Sequence, residues 1–564
     1  MKRAVKNLWT LLPLQLLFCG WLSGQTVTRG PYLQSLGAHS IVVCWRTDIP
    51  TDSRVEFGTH PDSLTQSADS SMITTEHRVR LRNLKPRTKY FYRIGSSAQV
   101  QASDTLMYFI TAPEPGSSAR VRVWAMGDFG HGNEGARKVK ESYQAFAARE
   151  GAADFWLWLG DNVYDDGTDQ EFQTKVFSGP NGYAELFPHL PFYSTSGNHD
   201  YNSICPWQDP ISQLPVLCSQ DPRTHDGPYL QLIEPPIHGE LGGVPSGLKL
   251  FYSFDYGDIH FISLNSELGS WNPDYDWLGV TDNDTSFISP MIEWLKADLA
   301  ATTKKWKIAF WHQCPYSGQN NFTEASSFQI FCIASRLHFN PILEKYGVDL
   351  VLTGHDHNYQ RSYLIHGHYY YKDSFTPDML VDGSSGREDR GEAYVKYIDG
   401  PDAGRGTVYV VQGGSSNVNA YSPFDHPAIY YGRACDTCLG SFILDVEGDR
   451  LHGRYLAAHG EIMDEFTILK RSVTGISASL PEQNIRLTPN PAEERTLLNY
   501  QLQQTGPVLI QLFTPEGRNI FTMERTQHAG QCSEPLDLSR LTAGVYLVRV
   551  RANGFASHLR LVKL

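Results

Sequence analysis

Five apolar runs in the middle of this 564-residue chain end alike, and that ending limits what the chain can fold into. "VRVWAM" runs into Gly127-Asp128-Phe129-Gly130, "DFWLWL" into Gly160-Asp161-Asn162-Val163-Tyr164, and "PFYSTS" into Gly197-Asn198-His199-Asp200. "WKIAFW" runs into His312, and "VDLVLT" into Gly354-His355-Asp356-His357. Short apolar runs closed by turn residues predict buried strands. Amphipathic segments alternate with them. In "SPMIEWLKADLAA", Ser289 suits a helix cap, Pro290 suits the first turn, and Ile292, Leu295 and Leu299 share a face. Strands alternating with helices predict an α/β layered domain over residues 121–472. Such sheets build their sites beyond the C-terminal strand ends, where the glycines allow sharp turns. Residues 365–406 are polar and Gly-rich and read as an inserted surface loop.

The strand ends carry Asp128, Asp161, Tyr164, Asn198, His312, His355 and His357. These oxygen and nitrogen donors are too many for one tetrahedral zinc. They suit two ions that share a carboxylate and clamp an in-line displacement. His355 and His357 are two apart, so in extended chain they point the same way while Asp356 points oppositely. A phenol titrates near pH ~10, so Tyr164 binding as phenolate favours a strongly Lewis-acidic ion such as Fe(III).

The flanks differ from the centre. Lys2, Arg3 and Lys6 precede an apolar stretch from Leu8 to Leu22 and the small pair Ser23-Gly24, which predicts a signal peptide over 1–25. The run is short for a membrane anchor, and Cys19 offers a lipidation site as an alternative. No later stretch predicts a transmembrane span. Residues 26–112 hold "SIVVCWRT", "SRVEFGT", "HRVRLRNL" and "KYFYRIGS", strand-like runs without a helix, and predict a β-sandwich. "TAPEPGSSAR" reads as the linker that follows. Residues 484–564 hold two strand-turn-strand units and predict a second small β-sandwich. Export permits disulfides, and Cys205/Cys218, Cys314/Cys332 and Cys435/Cys438 are near in sequence; Cys44 reads as a buried thiol. "DDGTD" at 165–169 lacks EF-hand spacing and reads as a solvated turn. His189, His260 and His459 read as surface or satisfied core residues. The net charge of −13 argues against nucleic-acid binding as a main role.

The order Asp-x-Gly, Gly-Asp-x-x-Tyr, Gly-Asn-His-Asp, a lone His and Gly-His-x-His resembles the calcineurin-like metallophosphoesterases. Tyr164 within Gly160-Asp161-x-x-Tyr164 resembles the purple acid phosphatases in particular. "RGPYLQ", at 29–34, is similar to the opening of the fibronectin-III-like domain of plant-type members. The resemblance covers residues 28–470. It implies a four-layer α/β sandwich, two β-sheets flanked by helices, behind a fibronectin-III-like β-sandwich. It also implies an Fe(III) site of Asp128, Tyr164 and His357, and a second site for Zn, Fe or Mn of Asn198, His312 and His355. Asp161 would bridge them, and His199 would contact the substrate phosphate. Plant-type members carry further histidines soon after the strand-end His; here Asn320 and Asn321 stand in that region. Asparagine binds phosphate but supplies no acid proton, so the general acid stays open, with His199 and, past the first motif, His131 as candidates. "LTPNPAEE", "TAGVYLVRV" and "LRLVKL" resemble the C-terminal sorting domain of type IX secretion cargo. That implies passage through the periplasm and outer membrane, removal of the domain, and a secreted or cell-surface product.

The expected activity is therefore hydrolysis of small phosphate monoesters by an exported binuclear-metal acid phosphatase, through attack of a metal-bound hydroxide. A phosphodiesterase or nucleotidase on the same scaffold is the alternative, and a surface-binding protein with a non-catalytic metal site is a more remote one.

Overall fold

The computed structural model describes residues 25–102, 107–201, 227–267, 290–318, 330–419, 425–433, 438–473, 485–502, 505–514, 519–552 and 555–564. Residues 1–24 of the expected signal peptide, Ser289, Asn320, Asn321, Cys205, Cys218 and Cys435 lie outside the described residues. No described helix is long and apolar enough to cross a membrane.

The N-terminal region is an antiparallel network of six strands. Two runs expected as separate strands form one, Ile41–Gly58, paired along most of its length with Gln66–Leu81. Its register breaks between Arg46 and Thr51, around Pro50. Proline cannot donate to the ladder, so the sequence reads as a strand end where the chain only bulges.

The central region stacks two seven-stranded sheets. Val121–Met126, Phe155–Leu159 and Phe192–Thr195 run parallel in one of them. Trp306–Phe310, Leu350–Thr353 and Val408–Gln412 run parallel in the other. Side chains alternate between faces, as strands require. Val123, Leu157 and Leu159 meet Phe261, Ile308, Phe310 and Leu352 in the core between the sheets. Trp124, Trp156 and Trp158 point outward, under the helix Glu134–Glu150. Trp124 stacks on Tyr143 of that helix at 4.0 Å, and Trp158 on Phe192 at 4.0 Å. The helix Pro290–Ala301 buries Ile292, Leu295 and Leu299 in the same outer cluster as Ile262, Ala309 and Val351. The order of layers is helices, sheet, sheet, helices. The five motif strands are thus divided three and two between facing sheets, not aligned along one.

The C-terminal region is a three-stranded and a four-stranded antiparallel sheet around a shared core of Leu498, Ile510, Leu512, Leu536, Val548 and Val550. It docks on the central region through charge. Arg549 Nη1 donates to Asp382 Oδ1 at 2.7 Å, and Arg551 Nη2 donates to Asp382 Oδ2. Asp382 and Arg549 are buried.

The cysteines depart in part from expectation. Cys438 is disulfide-bonded. Cys314 and Cys332 meet in space but as thiols, in a small cluster with Val411. Cys44 is a buried thiol.

His260 is a satisfied core residue of a charged kind. Its Nδ1 lies 2.8 Å from Asp255 Oδ1 and its Nε2 2.8 Å from Asp298 Oδ2. Burial opposes its charge, but the two carboxylates outweigh burial and raise its pKa to about 9. A raised folded-state pKa contributes stability below the ordinary value of 6.5, and that stability is lost as pH rises toward 9. Thermal unfolding as a function of pH is expected to show a loss on the order of 3 kcal/mol across this window. His260→Gln should remove most of that slope.

Candidate metal centre

The strand ends of both sheets converge on one small volume. Asp128, Asp161 and His355 each follow a glycine and adopt positive φ, at 58°, 46° and 70°. Left-handed backbone is uncommon outside glycine and collects at functional sites. Two glycines are needed for close approach. A Cβ on Gly160 would lie 2.5 Å from His312 Nδ1, and one on Gly354 would lie 2.5 Å from Asp128 Oδ2.

All seven side chains singled out in the sequence meet here. The Tyr164 phenol oxygen lies 3.0 Å from Asp128 Oδ1, 3.0 Å from Asp161 Oδ2 and 3.1 Å from His357 Nε2. His357 Nε2 is itself 3.2 Å from Asp128 Oδ1. On the other side of Asp161, His312 Nε2 lies 3.4 Å from Asp161 Oδ2, 3.2 Å from Asn198 Oδ1 and 3.3 Å from His355 Nδ1. Asp161 Oδ2 is common to both halves.

The donor set fits cations. A phenol has one proton, yet two carboxylate oxygens and an imidazole nitrogen surround that of Tyr164. His312 Nδ1 donates to Leu159 O at 3.0 Å, so in the neutral ring Nε2 carries a lone pair. That lone pair faces a carboxylate oxygen, an amide oxygen and another imidazole nitrogen. Without a cation, protons must substitute. Burial opposes a charged His312, but Asp161 and Asp128 outweigh it and push its pKa well up. Burial, with Asp128 and Asp161 adding to it, pushes the Tyr164 phenol well up. Among the described residues, Asp128, Asp161 and His357 offer ligand atoms that all lie within 4.8 Å of one another.

The surroundings brace this set. Asp200, a residue without an expected role, accepts from Gly197 N at 2.7 Å and Asn162 N at 2.8 Å. It ties two motif loops together, and its place inside Gly-Asn-His-Asp was the available signal. Ser416 Oγ donates to Asp128 O and was not foreseen; no local motif marks it. Asp356 points away, as expected, and accepts from Ser317 Oγ at 2.5 Å and Asn358 Nδ2 at 2.8 Å. Asp169 corrects the reading of "DDGTD" as a solvated turn. It accepts from Arg29 at 2.9 Å and from Arg46 at 2.6 Å, so the N-terminal region grips the segment after Tyr164.

Two further imidazoles flank Tyr164. His199 lies with its ring 4.5 Å from the phenol ring, and its Nδ1 donates to Asp165 O at 2.7 Å. The His131 ring stacks on Tyr164 at 3.7 Å, and its Nδ1 is 2.8 Å from Ser416 Oγ. Burial, with His357 nearby, lowers the His131 pKa to about 4.

Residues 121–359 match the calcineurin-like phosphoesterase family, residues 29–111 the purple acid phosphatase N-terminal domain, and residues 486–563 the secretion system C-terminal sorting domain. An acid phosphatase type 7 from Danio rerio is 23% identical over 411 residues, covering 66% of this chain and 81% of its own length. Purple acid phosphatase 15 from Arabidopsis thaliana is 26% identical over 385 residues; the match covers 62% of this chain and 63% of that relative. The structure of a purple acid phosphatase from yellow lupin (Lupinus luteus) seeds shares the fold, with a TM-score of 0.54 at 19% identity, over 78% of this chain and 74% of that one.

Gly160→Ala tests the packing of the centre. The added methyl group must displace the His312 ring. Divalent-metal affinity, measured by chelator competition, is expected to fall at least about tenfold while circular dichroism stays unchanged.

Proposed function

We propose that this chain, a calcineurin-like phosphoesterase with the N-terminal domain of the purple acid phosphatases and a C-terminal secretion sorting domain, is an exported acid phosphatase that hydrolyses phosphate monoesters at a two-metal centre. The sorting domain indicates export to a secreted or surface location. One observation carries the reading: Asp161 Oδ2 stands between Tyr164 Oη at 3.0 Å and His312 Nε2 at 3.4 Å, each inside its own set of donors.

Asp128, Tyr164 and His357 would hold Fe(III). Asn198, His312 and His355 would hold Zn, Fe or Mn, and Asp161 would touch both. Bound there, the pair supplies Lewis acidity at the phosphoryl oxygens. The chain's own groups do the rest. Asp128 Oδ2 accepts from His355 N at 2.8 Å, and Asp161 Oδ1 accepts from His199 N at 2.8 Å, so each carboxylate is held by its second oxygen. The His199 ring uses Nδ1 on Asp165 O, so a second proton, on Nε2, would be the one to meet a phosphate oxygen or the leaving group. The strand-end segment 312–318 contains no imidazole beyond His312. A centre short of proton donors favours leaving groups of low basicity, such as aryl phosphates.

Metal analysis with a visible spectrum tests the centre. About one iron and one other metal per chain, with a broad band that colours the protein and is lost in Tyr164→Phe, is the expected result. Two metals without colour would remove the Fe(III)–phenolate assignment and shift weight toward diesters and nucleotides. His199→Ala should lower turnover of aryl phosphate about a hundredfold or more with metal content intact. Unchanged turnover would rule out that role for His199.

A further inference from the structure

An asparagine has two ends of nearly equal size, and only its oxygen can serve as a ligand. Something in the fold must decide which end of Asn198 faces the centre. Gln313, next to His312 and buried, is in position to do so. Its Nε2 is 3.5 Å from Asn198 Oδ1 and donates to Glu267 Oε1 at 3.0 Å.

The polarity of Gln313 is itself specified at both ends. Cys332 Sγ donates to its Oε1 at 3.4 Å. Glu267, buried, receives its amide nitrogen and also the Ser266 hydroxyl at 3.1 Å. The Gln313 backbone N–H donates to that same Ser266 oxygen at 3.0 Å, so the side chain and main chain of Gln313 are held by adjacent residues. Asn265 completes the frame. Its Nδ2 donates to Ser196 Oγ at 3.0 Å and Tyr201 Oη at 2.6 Å, on either side of Asn198. A flipped Gln313 would set its oxygen against Glu267 and against Asn198 Oδ1, two acceptors facing acceptors.

We propose that Gln313 is a positioning residue for Asn198, and that Glu267 acts through it by fixing the direction of its amide. The chain of donation runs from thiol to Gln313 oxygen, and from Gln313 nitrogen to both Glu267 and Asn198. One lone pair of the Asn198 oxygen is thereby used by Gln313, and the other is aimed at the metal side of His312. The inference rests on the two-metal reading above. No motif brings Glu267 to notice, since it follows a strand of the second sheet and lies 46 positions from Gln313.

The test compares full-length wild type with Gln313→Met, Glu267→Met and Glu267→Gln. Each is loaded with iron and titrated with zinc against a chelator. Gln313→Met and Glu267→Met are expected to weaken zinc binding tenfold or more, while the iron band of Tyr164 stays in place. Glu267→Gln keeps an acceptor and should restore most of the affinity. Zinc affinity equal to wild type in Gln313→Met would overturn the proposal. So would loss of the iron band together with zinc, because that marks general loosening of the centre. Wild type that takes up no second metal would instead count against the two-metal reading, which keeps the two failures apart.

Discussion

Two carboxylates and a phenol are buried side by side at the meeting of two sheets, and the rest of the structure is arranged around that cost. Asp128 and Asp161 are fully or almost fully buried. Removing a carboxylate from water is costly unless it is paired and hydrogen-bonded. Each has one oxygen held by backbone N–H, from His355 or His199, and the other turned to the centre. Imidazoles fill the remaining sides. The fold therefore prepares a region of negative potential that positive charge must complete, and the left-handed turns at Asp128, Asp161 and His355 are held because packed sheets stand behind them.

The centre is braced from outside as well. Arg29 and Arg46 reach from the N-terminal region to Asp169, five residues beyond Tyr164. Glu171 accepts the backbone N–H groups of Asp165, Asp166 and Thr168, which winds this segment around one carboxylate. Lys175 donates to Tyr164 O. The phenol is thus held by a loop that the N-terminal region clamps. This gives the β-rich N-terminal region a physical stake in the site although it supplies none of the donors.

Much of this was legible in the sequence because strand ends are local. Gly160-Asp161-x-x-Tyr164 and Gly354-His355-x-His357 carry their turn and their donors within a few residues, and all seven side chains meet. What was not legible depends on pairing at a distance. The same apolar run serves either sheet, so the three-and-two division of the motif strands left no mark. Pro50 reads as a strand end because the ladder loses a donor there, yet Ile41–Gly58 continues past it. Asp169 looks like any turn acid until Arg29 and Arg46 are brought to it. Cys314 and Cys332 were correctly placed near one another, but whether two thiols bridge is a matter of geometry and oxidation that spacing does not carry.

Asp382 gives the junction with the C-terminal region a further meaning. Its carboxylate is buried and balanced by Arg549 and Arg551 alone among the described cationic side chains that pair with it. The C-terminal region holds more Arg and Lys than Asp and Glu, whereas the whole chain is net −13. Shedding that region would do more than shorten the protein. It would hydrate an anion that had been neutralised and leave a more strongly acidic polyelectrolyte behind. Phosphate esters are anions, so long-range repulsion would slow their encounter with the trimmed form, and dissolved salt would relieve it. Loss of the C-terminal region would in this way slow the diffusional arrival of anions at a centre built entirely from residues 128–357.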